Sequence, residues 1–318
     1  MRTLQGAAST LTILALLLAA CACVSIFVGP AGDADWNIIR QLRLPRVLLA
    51  IIVGFGLATA GTVLQGVLRN PLADPFILGT SSAATAGVMV AGLVGLRSGP
   101  YSVYLFALAF ALLSILLVYK IAQTQDKTPV QTLILAGVIV SLFFNAWVFV
   151  FFSVFHREEH NVLFFLLGTL TEGETLKITV SSLLILVGVA VSWVLSRDLN
   201  LLTQGEEAAF HLGLRVEVSK KILFVTASTM VAAAVAVAGM IGFVGLIIPH
   251  MMRMMTGPNH KTLIPASALG GATFLVLADA LARTVYAPLE IPVGAITALI
   301  GSPYFIYLLR SRQRAGEF

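Results

Sequence analysis

The sequence has little charge and almost no cysteine. Only 11% of its 318 residues are charged, whereas 58% are hydrophobic. Soluble domains carry about 25% charged residues, so this composition excludes a chain whose whole surface faces water. The two cysteines, Cys21 and Cys23, lie two positions apart in one apolar run, on different faces of a helix. This placement argues against a disulfide framework.

Motifs that couple energy to transport are also missing. The phosphate-binding pattern G-x-x-x-x-G-K-[ST] does not occur, so the chain does not bind ATP by that mechanism. The apolar runs hold no row of mid-depth carboxylates, which argues against transport driven by protons or sodium. Asp279 and Arg283 are the clearest charges within an apolar run, and their spacing of four residues predicts that they pair on one helical face.

Long apolar runs are what the sequence does contain. Each has about 20 residues, the length that crosses a hydrocarbon core of roughly 30 Å. We therefore predict an all-α polytopic membrane protein of about ten helices, with residues 1–318 forming a single transmembrane domain. Nine spans are also possible, because only "GMIGFVG" interrupts residues 222–256, and a short helix outside the membrane is predicted at about 160–172. The ten predicted spans are 8–28, 46–68, 78–96, 101–121, 129–154, 178–196, 222–239, 241–256, 263–285 and 293–310.

The distribution of Lys and Arg predicts the orientation of these spans. With the N-terminus inside, seven of the 20 Lys and Arg residues fall in outer segments and 20 − 7 = 13 in inner ones. We therefore expect both termini in the cytoplasm. The side chains of Arg43 and Arg46 either extend to lipid headgroups or bind a partner protein. The outer basic residues are Arg40, Arg43, Arg46, Arg97, Arg157, Lys177 and Arg283.

Two short segments contain residue types that bind metals. "HREEH" places His156, Glu159 and His160 at the H-x-x-E-H spacing of some zinc peptidases, but it lacks an obvious third ligand. "PHMMRMM", residues 249–255, puts His250 beside four methionines, which can ligate soft metals. Methionine is an ordinary filler of membrane helices, so we predict no metal site. A membrane metallopeptidase is kept as an alternative.

The longest polar inner segment covers about residues 197–221 and contains "GEEAAFHLGL". It predicts one or two short helices, with Glu206 and Glu207 in a first turn, where the helix dipole favours acidic side chains. Gly205 and Gly213 bracket this stretch. The segment is either a solvated loop or a rigid projection that fits a cleft on a cytoplasmic partner.

Six motifs together resemble the FecCD-type permeases. They are "RLPR", "NPLADPFILG", "GEEAAFHLGL", "AGMIGFVGLIIPHMMR", "LADALAR" and "LEIPVGAITALIGSPYFIYLL", in the family's order between about residues 40 and 310. These permeases are the membrane subunits of type II ATP-binding-cassette (ABC) importers for iron–siderophores, cobalamin and haem. The resemblance is specific for the family and does not fix the substrate.

The resemblance implies a ten-helix subunit of a bacterial or archaeal cytoplasmic membrane, surrounded by lipid. It would work as a two-fold dimer of identical or paralogous chains, with two ATPase subunits below and a periplasmic or lipid-anchored binding protein above. The chain would be no enzyme and would bind no cofactor or nucleic acid, since the ATPase uses ATP and Mg. We expect the cargo to be a ferric siderophore, with cobalamin or haem as alternatives in the family. A stand-alone carrier or channel is the alternative outside it.

The resemblance also implies roles for individual residues. Arg43, Arg46 and Arg283 would be exposed beyond the lipid and bind carboxylates on the two lobes of the binding protein. Ser82 stands where the cobalamin importer has an amide side chain, which mildly favours another chelate. The inner gate would include Gly79, Thr80, Ser81 and Ser82. The contact with the ATPase would include Gly205, Glu206, Glu207, Ala209, Leu212 and Gly213.

Overall fold

Helices account for the regular secondary structure of the described part of the chain, in agreement with the all-α prediction. The computed structural model describes residues 2–29, 35–94, 101–125, 127–154, 165–170 and 175–314. Within these ranges the only β-type pairing is an isolated bridge between Thr124 and Lys127.

Ten helices correspond one to one with the predicted spans, and two further short helices, Ser196–Thr203 and Glu206–His211, lie between the sixth and the seventh of them. A short helix, Trp36–Ile38, and a π-helical turn, Ile39–Arg43, precede the helix that begins at Leu44, and a 3₁₀ turn, Pro75–Leu78, precedes the one that begins at Thr80. The helices are α1 (Arg2–Phe27), α2 (Leu44–Val67), α3 (Thr80–Leu93), α4 (Ser102–Ala122), α5 (Val130–Val154), α6 (Thr175–Val194), α7 (Ser196–Thr203), α8 (Glu206–His211), α9 (Val216–Ala238), α10 (Val244–Thr256), α11 (His260–Thr284) and α12 (Val293–Arg314).

Seven helices in the described ranges are long and apolar enough to cross a membrane: α1, α2, α4, α5, α6, α9 and α11. The other three predicted spans form shorter apolar helices, with 14 residues in α3, 13 in α10 and an apolar part of α12 that ends at Tyr307. The polytopic all-α fold is therefore confirmed, whereas the count of ten spans stays a prediction.

Helix α2 lies at the centre of the bundle and packs against α11, α9 and α10. The backbones of these helices approach closely because small residues face one another. Such residues are common at helix contacts in membranes, where lipid removes the hydrophobic driving force for association. A Cβ at Gly61 would overlap the carbonyl oxygen of Gly245 in α10, and one at Gly54 would lie 2.5 Å from the carbonyl oxygen of Gly271 in α11. These backbones touch because no side chain separates them.

A buried glutamine satisfies the interrupted backbone of α10. Pro249 has no N–H, so the carbonyl of Gly245, four residues earlier, lacks its helical donor. Gln65 of α2 donates from Nε2 to the carbonyl oxygens of Gly245 at 3.4 Å and Leu246 at 3.2 Å. Its Oε1 accepts from Nη2 of Arg253 at 3.2 Å. A free carbonyl is costly inside a membrane, and α2 supplies the missing donor.

The described part of the predicted short helix at 160–172 packs on the break between α9 and α10. Residues 165–167 are helical, residues 168–170 have no regular secondary structure, and the rest of that stretch lies outside the described residues. The backbone N–H of Thr169 donates to the carbonyl of Ala238 at 2.9 Å, and that of Gly294 donates to the carbonyl of Gly168 at 3.2 Å. This segment therefore joins the end of α9 to the start of α12.

Candidate functional site

Two opposite ends of the bundle contain the residues that the sequence singled out. The ends of α1 and α11 meet the start of α2 at one end, which we call the arginine end because it holds Arg43, Arg46 and Arg283. The other end, which we call the short-helix end, holds α7 and α8 beside the starts of α9 and α11. Helix α11 runs from one end to the other over 25 residues, about 37 Å at 1.5 Å per residue.

Arg43 lies inside the arginine end and binds the last turn of α1. Its side chain is only 5% exposed, and Nη1 donates to the carbonyl oxygens of Ile26 at 3.3 Å and Phe27 at 2.9 Å. The last carbonyls of a helix have no intrahelical donor, and a cation there is favoured by the helix dipole. Arg43 thus caps the C-terminal end of α1.

Arg283 binds the same helix end from α11. It is 2% exposed, and its Nη1 donates to the carbonyl oxygen of Val28 at 2.9 Å. Nη2 donates to Ser25, to Oγ at 2.7 Å and to the carbonyl oxygen at 3.2 Å. Two arginines from distant parts of the sequence therefore hold one helix terminus.

Asp279, which is fully buried, joins Arg283 to Arg46. Its Oδ2 lies 2.9 Å from Nε of Arg283, and its Oδ1 accepts from Nε of Arg46 at 2.9 Å. The predicted pairing of Asp279 with Arg283 is confirmed. Arg46 continues the network by donating from Nη1 to Oε2 of Glu290 at 2.7 Å, and the Glu290 side chain is 43% exposed.

The expectation that all three arginines are exposed is wrong for Arg43 and Arg283. A buried guanidinium persists in a protein when polar groups and an opposite charge replace its contacts with water. The end of α1 accepts hydrogen bonds from the Nη atoms of both arginines, and Asp279 forms an ion pair with Arg283. Arg46 is partly exposed, and Arg40 and Glu290 are exposed beside it. Sequence reasoning missed Glu290, whose bond to Arg46 spans 244 residues and leaves no local signal. Whether the arginines bind a partner stays a prediction.

The short-helix end confirms the predicted helices in the polar segment. Glu206 and Glu207 occupy the first turn of α8. Gly205 precedes that turn at φ 120°, a conformation that side chains rarely adopt, and it lets the chain turn sharply between α7 and α8. Ala209 is buried under α8, whereas Leu212 is exposed just past its end.

A buried lysine ties α8 to the start of α5. Lys220 in α9 is 2% exposed, and its Nζ lies 2.9 Å from both Oε1 of Glu206 and Oε1 of Glu217. Oε2 of Glu217 accepts from Thr128, from the backbone N–H at 3.0 Å and from Oγ1 at 2.6 Å. A continuous chain of charged hydrogen bonds thus runs from α8 through α9 to a residue two positions before α5. No local pattern indicates that Lys220 is buried, because it lies among the basic residues of a polar inner segment.

Helix α7 is fixed to α9 and α11 by side-chain hydrogen bonds. Oδ1 of Asn200 accepts from the backbone N–H of His260 at 2.9 Å and lies 2.7 Å from Nδ1 of the same residue. Oγ of Ser219 donates to Oδ2 of Asp198 at 2.7 Å. The polar segment is therefore a rigid projection that is anchored at several points, which favours the second of the two sequence interpretations.

An open cleft of about 750 Å³ lies beside α8. Arg69, Gln131, Glu207 and His211 are among the residues that line it. Arg69, Glu207 and Gln131 are exposed, so the cleft is polar and accessible from the short-helix end. Its lining carries both a basic side chain, Arg69, and acidic ones, Glu206 and Glu207.

The turn before α3 packs closely against α5. Oδ1 of Asp74 accepts from the backbone N–H of Phe76 at 2.9 Å and caps the 3₁₀ turn, and burial raises the pKa of the Asp74 carboxyl. Gly79 follows with φ 74°, and a Cβ there would lie 3.1 Å from the backbone nitrogen of Ser141. The turn is therefore in direct contact with α5.

The hydroxyls of this turn are buried in the single chain. Thr80, Ser81 and Ser82 are all buried, and Oγ of Ser82 donates to the carbonyl oxygen of Gly79 at 3.2 Å. The gate role predicted for Gly79, Thr80, Ser81 and Ser82 stays a prediction.

The metal-binding candidates do not form a site in the described residues. His156, Glu159 and His160 lie outside those residues. Inside the described ranges, no group of three or more His, Cys, Asp or Glu side chains could hold a metal ion. His250 is buried in α10, whereas Met254 and Met255 are exposed, so these residue types do not share one environment.

The helices and the two polar ends define the class of protein: a polytopic membrane protein with a rigid projection at one end. The FecCD transport family model matches residues 6–311. The chain belongs to the FecCD transport family.

Individual relatives agree with this assignment over most of their length. The chain is 44% identical over 282 residues to the cobalamin import system permease protein BtuC of Halobacterium salinarum, which covers 87% of this chain and 74% of that protein. It is 37% identical over 308 residues to the Fe(3+) dicitrate transport system permease protein FecD of Escherichia coli, with 92% and 96% covered. A solved metal-chelate type ABC transporter in an inward-facing conformation matches with a TM-score of 0.85 at 35% identity, covering 96% of this chain and 99% of that one.

Proposed function

We propose that this chain is the membrane permease subunit of an ABC importer that moves a metal chelate, with a ferric siderophore as the expected cargo. The observation that carries the proposal is the match of residues 6–311 to the FecCD transport family. Relatives are named for cobalamin and for ferric dicitrate, so the substrate class is supported, whereas Ser82 alone does not exclude cobalamin. The chain makes and breaks no covalent bond.

The proposed assembly contains two permease chains, two ATPase subunits and one binding protein outside the membrane. ATP and Mg are used by the ATPase subunits, and both termini of this chain lie in the cytoplasm. The short-helix end then faces the ATPase, where Phe210 and Leu212 offer exposed apolar contacts and Glu207 an exposed charge. Gly205 and Gly213 set the direction of α8, and Ala209 anchors it.

Movement of the ATPase reaches the membrane helices through the buried lysine. A push on α8 moves Glu206, and the 2.9 Å contacts of Lys220 pass that displacement to Glu217 and then to the start of α5. Gly79 lies against α5, so the gate turn responds to the same movement. Energy released outside the membrane thus opens a path that has a mostly neutral wall.

At the arginine end, the binding protein docks on the exposed charges rather than on the buried ones. Arg46 already binds Glu290, whose side chain is 43% exposed, so a carboxylate of the binding protein can replace Glu290. Exposed ion pairs contribute about 0–1 kcal/mol each, so this exchange is easy to reverse. Such contacts orient the partner and speed its encounter, which suits a partner that leaves in every cycle. Arg43 and Arg283 act by holding α1 and Asp279 in place.

The test is transport by the purified components. The chain and its partner ATPase are reconstituted in vesicles, and uptake of ferric siderophores, haem and cobalamin from a binding protein is measured with and without ATP. We expect ATP-dependent uptake of one of these chelates. Uptake by the chain alone, without the ATPase, would favour the carrier alternative and overturn the proposal.

A further inference from the structure

A groove of about 350 Å³ lies on the outside of the bundle between α4 and α9. Its walls are mainly apolar, and Leu113, Leu116 and Val225 are all exposed along it. Both helices are long and apolar enough to cross a membrane, so exposed leucines on their outer sides face acyl chains in a bilayer. The groove is therefore positioned to receive a hydrocarbon chain.

Two lysines stand at one end of this groove. Lys120 lies in the last turn of α4 and Lys221 in the second turn of α9, both exposed and both near the short-helix end. Among the described residues, no carboxylate lies within 4 Å of either ammonium group. Nζ of Lys221 lies 5.3 Å from the centroid of the Tyr119 ring, a cation–π contact that holds the ammonium at the mouth of the groove.

We propose that this groove binds one anionic phospholipid. The charged and apolar parts of the groove follow one another in the same order as those of the lipid. Two cations lie at the membrane surface, and an apolar trough continues from them towards the bilayer centre. Lysine stems can lie along apolar surface while their ammonium groups reach the headgroup level. The proposal depends on the membrane-spanning helices and not on the importer function, so the two can fail separately.

The charge complementarity sets the expected size of the effect. A basic residue near an anionic membrane surface strengthens binding roughly fivefold. Removal of both lysine charges is therefore expected to weaken binding of phosphatidylglycerol by about 25-fold. Phosphatidylcholine, which carries no net charge, is expected to bind the unmodified protein and the double variant equally weakly.

The experiment is native mass spectrometry of the full chain, purified in detergent and titrated with phosphatidylglycerol. Lys120→Gln with Lys221→Gln removes both charges, and Leu116→Trp fills the groove while leaving them in place. Lys261→Gln is the matched control, because Lys261 is also an exposed lysine at the short-helix end but lies outside the groove. We expect one tightly bound lipid in the unmodified chain and in the control, and its loss in both groove variants.

Other results would overturn the proposal. If the double lysine variant or Leu116→Trp keeps the tight lipid, the groove is not its site. If Leu116→Cys forms a disulfide-linked dimer in native membranes in high yield, a second copy of the chain covers the groove instead. Equal weakening in the Lys261→Gln control would show only general attraction between basic residues and anionic lipid.

Discussion

Replacing Arg283 by Met tests whether this arginine holds the fold or binds a partner. The substitution removes one hydrogen bond to Val28, two to Ser25 and the ion pair with Asp279. Asp279 is fully buried and, among the residues that the structure describes, keeps Arg46 as its one remaining cationic partner. Removing one partner of a buried ion pair costs about 3–5 kcal/mol, because the remaining charge is left buried.

A loss of that size lowers the unfolding temperature by about 10 °C for a chain of this kind. The assay is thermal unfolding of the purified chain in detergent, followed by its tryptophan fluorescence. Arg40→Met is the matched control, since Arg40 is an exposed arginine at the same end, and we expect a change within about 0.5 kcal/mol. If Arg283→Met unfolds at the original temperature but no longer binds the binding protein, Arg283 is a docking residue and the structural argument is wrong.

The remaining predictions concern the buried lysine, one glycine contact and one aspartate. Lys220→Met is expected to reduce uptake per ATP hydrolysed by tenfold or more, because α8 loses its link to the start of α5. The ATPase should still co-purify with this variant. Lys261→Met is the control and should leave the ratio of uptake to ATP hydrolysis unchanged. Gly61→Ala is expected to lower the unfolding temperature, since its methyl group overlaps the carbonyl of Gly245, whereas Gly242→Ala meets open space and should not. Asp74→Asn keeps the capping acceptor. We expect the stability of the original chain to fall as the pH rises, and the stability of this variant to lack that fall. The raised pKa of Asp74 means that its favourable contribution is complete below the unfolded pKa and is lost as pH rises through the folded one.

Each of these has an opposite result. Coupled uptake by Lys220→Met would show that α8 transmits force by another route. An unchanged unfolding temperature for Gly61→Ala would mean that α2 and α10 can move apart without loss. If the unfolding temperature of Asp74→Asn follows the same pH curve as the original chain, Asp74 does not contribute to that dependence.

The helices could be predicted because apolar run length is a local property. A run of about 20 apolar residues has few other stable forms in lipid, so the positions of α4, α5 and α11 followed directly from hydropathy. The spacing of Asp279 and Arg283 was equally local and also predicted their contact. The short lengths of α3 and α10 were not predicted, because the turns around Gly79 and Gly239 use residues that hydropathy assigns to the spans.

The surroundings of the arginines could not be predicted, because they depend on contacts across the whole chain. The count of basic residues assigns Arg43 to a side of the membrane but does not say whether its side chain points outward or under α1. The bond from Arg46 to Asp279 spans 233 residues, and it forms only after α2 packs on α11. The burial of Lys220 is equally invisible to a count of basic residues, because it arises from the packing of α8 against α9.

Both ends of the bundle contain a cation that is buried away from water and therefore needs a partner of opposite charge. Each has a buried cation with a carboxylate partner, Arg283 with Asp279 at one end and Lys220 with two glutamates at the other. In each case a carboxylate of the group also binds a distant part of the chain, Asp279 to Arg46 and Glu217 to Thr128. A paired and buried group presents no surface to a partner, whereas Arg40 and Phe210 are exposed at the two ends. The buried charges at each end therefore stabilise the packing of the helices. Loss of transport in a variant of a buried residue is evidence of docking only when the fold of that variant is shown to be intact.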